Sequence, residues 1–222
     1  MSGQARPLAI VGASGHGRVV IDAARRSGQF DLVGLVDASV PAGSMVAGIA
    51  VVGPDDALVA LADMHPGLAC IVAIGDNAVR ARVADALAAR GLGFAAVVHP
   101  AGVIAESAHI APGAFVAAGA IVNPDARIGA HAIVNTCATV DHDAQVGDFA
   151  FVGPNAALAG GVVLGRGAMV GIGACVTPGI VIGDRATVGA GAVVIRDVGA
   201  GERVAGNPAR RLSANAGAKR PA

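Results

Sequence analysis

From Ile104 to Val194 the chain keeps a six-residue rhythm without a slip. An Ile, Val or Leu stands at 104, 110, 116, 122, 128, 134, 140, 146, 152, 158, 164, 170, 176, 182, 188 and 194. Four residues after each the side chain is Ala, except at Val162, Ile180 and Val198. A six-residue period fits neither an α-helix nor a coiled coil and marks a parallel β-helix, in which each repeat is one short strand and one corner. Three hexads close a triangular coil, and the next coil stacks on it at about 4.8 Å. The branched residue fills the prism, and the small residue sits near a corner where a larger group would clash. Gly and Asp, as in Ile128-Gly129 and Val146-Gly147-Asp148, read as permitting the tight corners. Sixteen hexads make a little over five coils, and the unbroken register predicts that no long loop leaves the prism.

A chain of 222 residues holds two modest domains. Sixteen basic residues balance sixteen acidic ones, so no field for nucleic acid or an anionic membrane is expected. There is no Trp or Tyr, and five Phe are too few for base-stacking platforms. No apolar run reaches the ~18 residues of a spanning helix. No secretory-type segment precedes the first strand, so a cytoplasmic protein is expected. Cys70, Cys137 and Cys175 are odd in number and read as buried thiols. The tail, 213–222, is expected to be disordered.

Residues 1–98 follow a different grammar. The apolar run Leu8-Ala9-Ile10-Val11 ends in Gly12-Ala13-Ser14-Gly15-His16-Gly17, and a helical pattern follows. A strand over 32–36 ends at Asp37. Asp55-Asp56 opens a short helix, Ala69 to Ile74 reads as a strand closed by Gly75-Asp76-Asn77, a helix spans 78–90, and a last strand spans 94–98. Alternating strands and helices predict a parallel sheet about half the size of a dinucleotide fold, an α/β half-Rossmann unit. Pro100-Ala101-Gly102 marks its junction with a prism over 99–212. The glycine turn between strand and helix offers bare N–H groups and a helix dipole to phosphate. Asp37 is placed to accept a hydrogen bond from a ribose or base. A nucleotide-sugar fits this half-fold better than a whole dinucleotide.

These features together resemble the NeuD/PglD family of hexapeptide-repeat sugar acetyltransferases. The resemblance rests on Gly12–Gly17, on Ala73-Ile74-Gly75-Asp76-Asn77, on the hexads, and on Gly206-Asn207-Pro208-Ala209-Arg210. It implies that the prism is a left-handed parallel β-helix, although connections between parallel strands are otherwise overwhelmingly right-handed. It also implies that Ser14, Gly15 and His16 meet the phosphates or sugar, that Asp37 and Ala38 meet the base, and that Gly75 lines the sugar. The co-substrate implied is acetyl-CoA, with no metal and with a homotrimer whose subunits hold the coenzyme between them. Ile172 and Ala190 match coenzyme-lining positions, with Gly206, Asn207 and Pro208 near its nucleotide end. At a position where some relatives place a second His toward the acetyl carbonyl, this chain has Phe151. The thioester oxygen then needs another donor, such as the N–H of Gly153 or Gly171.

The reacting group is read in Asn135-Thr136-Cys137-Ala138-Thr139-Val140-Asp141-His142-Asp143. Acetylating an amine that is largely ammonium at neutral pH requires a base, and His is best matched to that task. His142 follows inward Val140 by two residues and should sit on the prism surface. The family's base is a His followed by an acid, so His142 and Asp143 form the expected catalytic pair. Asn135, one hexad earlier, is a candidate to bind the amine or backbone. The reaction read is direct transfer of acetyl to the 4-amino group of a nucleotide-linked deoxyamino sugar. UDP comes first, with GDP-perosamine or a dTDP-linked 4-amino sugar as alternatives and sialic acid O-acetylation third. A zinc carbonic anhydrase built on His109, His131 and His142 lacks the His pair five apart, since position 147 is Gly. A non-catalytic nucleotide-sugar-binding scaffold is the reading of another class.

Overall fold

The computed structural model describes residues 5–213, so of the expected 213–222 tail only Ser213 lies among the described residues. The N-terminal unit runs β1 (Arg6–Val11), α1 (Gly15–Ser27), β2 (Phe30–Val36), β3 (Met45–Val46), β4 (Ile49–Gly53), α2 (Ala57–Met64), β5 (Ala69–Val72), α3 (Asn77–Ala88) and β6 (Gly93–Phe94). Its strands lie in the order β3-β4-β2-β1-β5-β6, parallel except for the β3–β4 hairpin. β1 is central, and its run Leu8–Val11 is buried throughout, as a parallel strand covered on both faces requires. α1 buries Gly17, Val20, Ile21, Ala23 and Ala24 against the sheet and ends at Gly28 in the left-handed conformation. The chain turns toward β2 after β1 and toward the other side at β5. That reversal leaves a crevice at the carboxyl ends of β1 and β5, where open parallel sheets bind ligands.

Two parts of this unit differ from the sequence reading. The β3–β4 hairpin turns through Ala47 and Gly48, both with positive φ, at 48° and 75°. Such turns favour Asn-Gly, and an Ala in the first place hides the signal. The strand expected over 94–98 divides: Phe94 pairs with Cys70 of the sheet, while Val97–Val98 pairs with Phe115–Val116 as the first rung of the prism.

The prism has three walls of stacked two-residue strands. The first wall carries Val97–Val98, Phe115–Val116, Ile133–Val134, Phe151–Val152, Met169–Val170, Thr187–Val188 and Arg203–Ala205. The second runs from Val103–Ile104 to Val193–Val194, and the third from His109–Ile110 to Val181–Ile182. A strand recurs every six residues over the hexads, and no loop leaves them. The second residue of each strand points inward with the Ala of the next corner. Val116, Val134, Val152, Val170 and Val188 are fully buried, as are Ala114, Ala132, Ala150, Ala168 and Ala186. Each buried Val, Ile or Leu contributes about 1.5–3 kcal/mol, so the repeat is its own stability source. The three exceptions to the Ala register stack in one file, with Val162 and Val198 buried and Ile180 packed against the core.

From Gly113 to Gly191 each corner has one residue with positive φ. Among these are Asp125, His131, Cys137, Asp143, Phe149, Asn155 and Arg185, all between 54° and 60°. Gly129 and Gly147 are not among them, so it is lack of a side chain and not a left-handed backbone that they contribute to the corners. They are small because the coils approach closely: a Cβ at Gly129 would lie 2.6 Å from the Asp148 nitrogen, and one at Gly147 would lie 2.8 Å from the Arg166 nitrogen. Cys70 is buried, and burial pushes its thiol pKa up to about 11. Cys137 and Cys175 are exposed in this chain rather than buried, because both sit on outward positions. Among the described residues no helix is long and apolar enough to cross a membrane.

The half-Rossmann unit packs on the lower first wall. Phe115, Ala117 and Ile133 share one buried cluster with Leu8, Ile10, Val20 and Ile71. It also reaches the edge between the third and first walls, and it leaves the edge after the second wall free.

Candidate active site

The Gly12–Gly17 turn is built by close approach. Gly12 has φ 109°, and a Cβ there would lie 2.9 Å from the Ala73 oxygen. A Cβ at Gly17 would strike the Gly12 oxygen, so the helix can press directly on the turn. Ser14 is the N-cap of α1, yet its side chain makes no capping bond, and the first turn holds no acid. By contrast, Asp76 caps α3 and accepts the Val79 N–H at 2.9 Å. Of the two helix starts beside the crevice, α1 is the one without a carboxylate cap and therefore the one suited to phosphate.

Asp37 accepts the Ala13 N–H at 2.8 Å and the Ser39 N–H and hydroxyl at 2.8 and 2.6 Å. Partial burial raises its pKa, but these hydrogen bonds outweigh burial and hold it below the ordinary carboxylate value. It thus ties the glycine turn to the end of β2, with exposed Ala38 beside it. The His16 ring is turned onto Phe115, edge to face at 5.3 Å, and its buried Nε2 has no partner. Burial, then the Arg80 charge, lowers its pKa to about 4. Gly75 is exposed beside the turn, in a cleft of about 650 Å³ that Asn77, Phe149, Arg166, Met169 and Arg185 also line.

His142 stands on the edge after the second wall. Asp143 takes the positive-φ corner at 57°, which folds its carboxylate back to the ring, with Nδ1 to Oδ2 at 2.8 Å. With Asp143 ionised, Nδ1 carries the proton and Nε2 is the free acceptor. Asp141 accepts the His142 backbone N–H at 2.8 Å, and Asn123 on the coil below donates to the same oxygen at 2.7 Å. On the coil above, Gly160 leaves room for the ring: a Cβ there would lie 2.6 Å from Cε1 and Nε2. The hydrogen bond to Asp143, then the Asp141 charge, raises the His142 pKa above its usual value. Asn123 and Gly160 were not singled out in the sequence. Each lies eighteen residues from the Asp141-His142 pair, so reading the period in whole coils finds both.

The coenzyme candidates fall in one file on the edge after the first wall. Gly191 N–H donates to the Ile172 oxygen, Gly189 N–H to Val204, and Val193 N–H to Gly206, so Ile172, Ala190 and Gly206 rise along one line, with Asn207 and Pro208 following. Ile172 is 55 % exposed. Asn135 is lower on the same edge, and its amide oxygen accepts the Thr136 N–H at 2.8 Å. Phe151 is on the first wall, partly buried against the half-Rossmann cluster. The N–H groups of Gly153 and Gly171 already donate to Val170 and Val188, so neither is free for a thioester oxygen as the sequence reading had it. The ladder between coils takes both.

One chain therefore groups the nucleotide candidates at the crevice, the coenzyme candidates on one edge, and His142 with Asp143 on the next edge. It does not bring the three groups together. His131 and His109 do not join His142: His131 is buried in an aromatic stack, and among the described residues no group of three His, Cys, Asp or Glu is placed to hold a metal.

The residue Arg80 was not legible. Its guanidinium is 1 % exposed, and it donates at 2.8 Å to the oxygens of Ile74, Asn77, His131 and Phe149. All but one of these acceptors are backbone carbonyls, which leave no side-chain signal.

A family model described as the PglD N-terminal domain matches residues 7–87. A histidine-to-asparagine mutant of perosamine N-acetyltransferase from Caulobacter crescentus, solved with CoA and GDP-perosamine, is 39% identical with a TM-score of 0.88. The match covers 93% of this chain and 97% of that one. The acetyltransferase domain of PglB from Neisseria gonorrhoeae, solved with acetyl coenzyme A, is 35% identical over 94% of this chain and 100% of that one, with a TM-score of 0.87. WeeI from Acinetobacter baumannii is 28% identical over 93% and 100%, at a TM-score of 0.75. No curated protein sequence matches. A half-Rossmann unit on a hexapeptide prism, matched over nearly its whole length by such enzymes, gives the prism its left hand and places the chain in the NeuD/PglD-like family of hexapeptide-repeat sugar acetyltransferases.

Proposed function

We propose that the protein acetylates the 4-amino group of a nucleotide-linked deoxyamino sugar with acetyl-CoA, and that His142 is the general base. The observation that carries this is the exposed His142–Asp143 pair at 2.8 Å, with Nε2 left as an acceptor. The ammonium form of the sugar nitrogen first gives one proton to solvent; as the neutral amine attacks the thioester carbonyl carbon to form the amide bond, Nε2 takes the second. The carbon–sulfur bond breaks, and the departing thiolate recovers the proton from the imidazolium, which Asp143 stabilises. Ser14, Gly15 and Asp37 serve the nucleotide, and Ile172, Ala190 and Gly206 to Pro208 serve the coenzyme. GDP-perosamine moves ahead of the UDP sugars as donor of the amine, because the relative at 39% identity is solved with it.

A homotrimer belongs to this reading. The base, the coenzyme file and the crevice occupy different sides of one chain, so a neighbouring copy must supply part of each site. Exposed apolar residues on the outer walls, among them Val103 at 63 % and Val181 at 44 %, suit burial between copies. The enzyme would act in the cytoplasm.

The test follows CoA release with a thiol reagent across GDP-, UDP- and dTDP-linked 4-amino sugars and sialic acid. Turnover with one amino sugar, lost in folded His142→Asn, supports the proposal and names the nucleotide. Turnover with sialic acid alone moves the reaction to O-acetylation, and turnover that survives in His142→Asn removes the base.

A further inference from the structure

The edge between the third and first walls differs from the other two: it is where a helix of the N-terminal unit grips the prism. Its corner residues with positive φ are Gly113, His131, Phe149, Gly167 and Arg185, one per coil. Three successive members offer their carbonyls to α3. Arg80 Nε donates to the His131 oxygen at 2.8 Å, Arg80 Nη2 to the Phe149 oxygen at 2.8 Å, and Asn77 Nδ2 to the Gly167 oxygen at 3.0 Å. Asn77 and Arg80, three residues apart on one helix face, therefore span three coils. The same two side chains are joined at 2.8 Å, and Arg80 Nη1 turns the other way to the Ile74 and Gly75 oxygens at 2.8 and 3.1 Å.

The guanidinium is buried without a carboxylate partner. A charge so placed persists only where its donors are met in fixed geometry, and here carbonyls and an amide oxygen meet them. Burial lowers its pKa only to about 10, so it remains a cation at neutral pH. The rim of the cleft, Gly75 to Asn77, thus has its backbone held from behind by a side chain that is itself fixed to the prism.

We propose that Arg80 and Asn77 are positioning residues that lock the Gly75–Asn77 segment, and with it the sugar end of the substrate, in register with the coils. The clamp rests on the functional reading above for its consequence, not for its existence. It touches no coenzyme candidate, since those lie on the edge after the first wall. Losing it should therefore disturb one substrate and spare the other.

Two measurements on Arg80→Met, Arg80→Lys and Asn77→Ala test this. The first is amide hydrogen exchange over residues 73–80, which requires no substrate. Faster exchange there, with the upper coils unchanged, is expected in all three variants. Unchanged exchange overturns the clamp. The second is steady-state kinetics: KM for the nucleotide sugar is expected to rise about tenfold or more while KM for acetyl-CoA stays within about twofold. Arg80→Lys keeps the charge but loses the planar fork, so it should resemble Arg80→Met, and full recovery by Lys overturns the geometric account. Equal rises in both KM values, or none, overturn the positioning role. Asn77→Ala leaves the buried cation in place and keeps the test open if the Arg80 variants fail to fold. If wild-type protein acetylated no nucleotide amino sugar, the functional reading would fail, while the exchange data would still decide the clamp.

Discussion

His131 and His142 lie eleven residues apart in the array of hexads and have opposite surroundings. His131 occupies a corner with φ 56°, 7 % exposed, its ring stacked on Phe149 at 5.0 Å and met edge-on by Phe94. Arg166 covers the other face of Phe149 at 4.6 Å, and a Cβ on Gly113 would clash with the His131 ring. Burial, then the Arg80 charge, lowers its pKa to about 4, so it is a neutral packing group. His142 stands beside a corner on another edge, exposed between two carboxylates that raise its pKa. The repeat supplies both positions. What stacks eighteen residues above and below decides whether a histidine there is buried and neutral or exposed beside carboxylates.

The largest effect that would break this contrast is loss of the base. His142→Asn should lower kcat about 10³-fold with an unchanged melting temperature, and His131→Asn should show the reverse pattern. A His131 variant that lost activity while keeping its melting temperature would mean the wrong histidine has been chosen.

The next effect concerns acid stability. A His held at about 4 in the folded state takes up a proton more readily when unfolded, so stability rises with pH between about 4 and 6.5 and falls as pH drops through that window. His131 alone should cost on the order of 2 kcal/mol between pH 7 and pH 5. Melting curves at the two values test this, and His131→Phe should remove about half of the difference, since buried His16 is also lowered to about 4 and supplies a similar share. Phe is already accepted at the equivalent corner by Phe149.

A smaller effect sharpens the other half of the comparison. A general base works when deprotonated, so a raised pKa moves the acidic limb of the kcat/KM profile to higher pH. Asp143→Asn should shift that limb downward and reduce kcat about tenfold, and Asp141→Asn should shift it less. A limb that stays in place in both variants would show that these carboxylates do not set the base. Smallest is Gly160→Ala, expected to displace the ring and reduce kcat a few-fold in a fully folded protein. Wild-type kinetics there would remove any role for the coil above.

The prism was legible because its core repeats: every inward Val, Ile and Leu announces its wall. Ser14, Gly75 and His142 could be nominated from the sequence because turn chemistry and acid–base chemistry leave marks on residue type, and the structure sets Ser14 at the start of α1 and His142 beside Asp143. Arg80 left none, since a helical arginine reads as a solvated cation until its carbonyl partners, far off in sequence, come into view. The division of 94–98 was equally hidden, because both halves are apolar and only the pairing partner distinguishes them. Asn123 and Gly160 were within reach, but only by counting in coils rather than in hexads.

The triangular stacking makes the prism behave like an indexed shaft. Inserting eighteen residues in the middle would raise everything above by about 4.8 Å and leave each side facing as before. Inserting six would preserve every hydrophobic rule yet turn the upper part by a third of a revolution. The file of Ile172, Ala190 and Gly206 would then rise from a different side than the one above Asn135, and the grip of α3 would meet the wrong corners. For this fold the length of an insertion, taken in multiples of the coil, decides between a longer enzyme and an inert one.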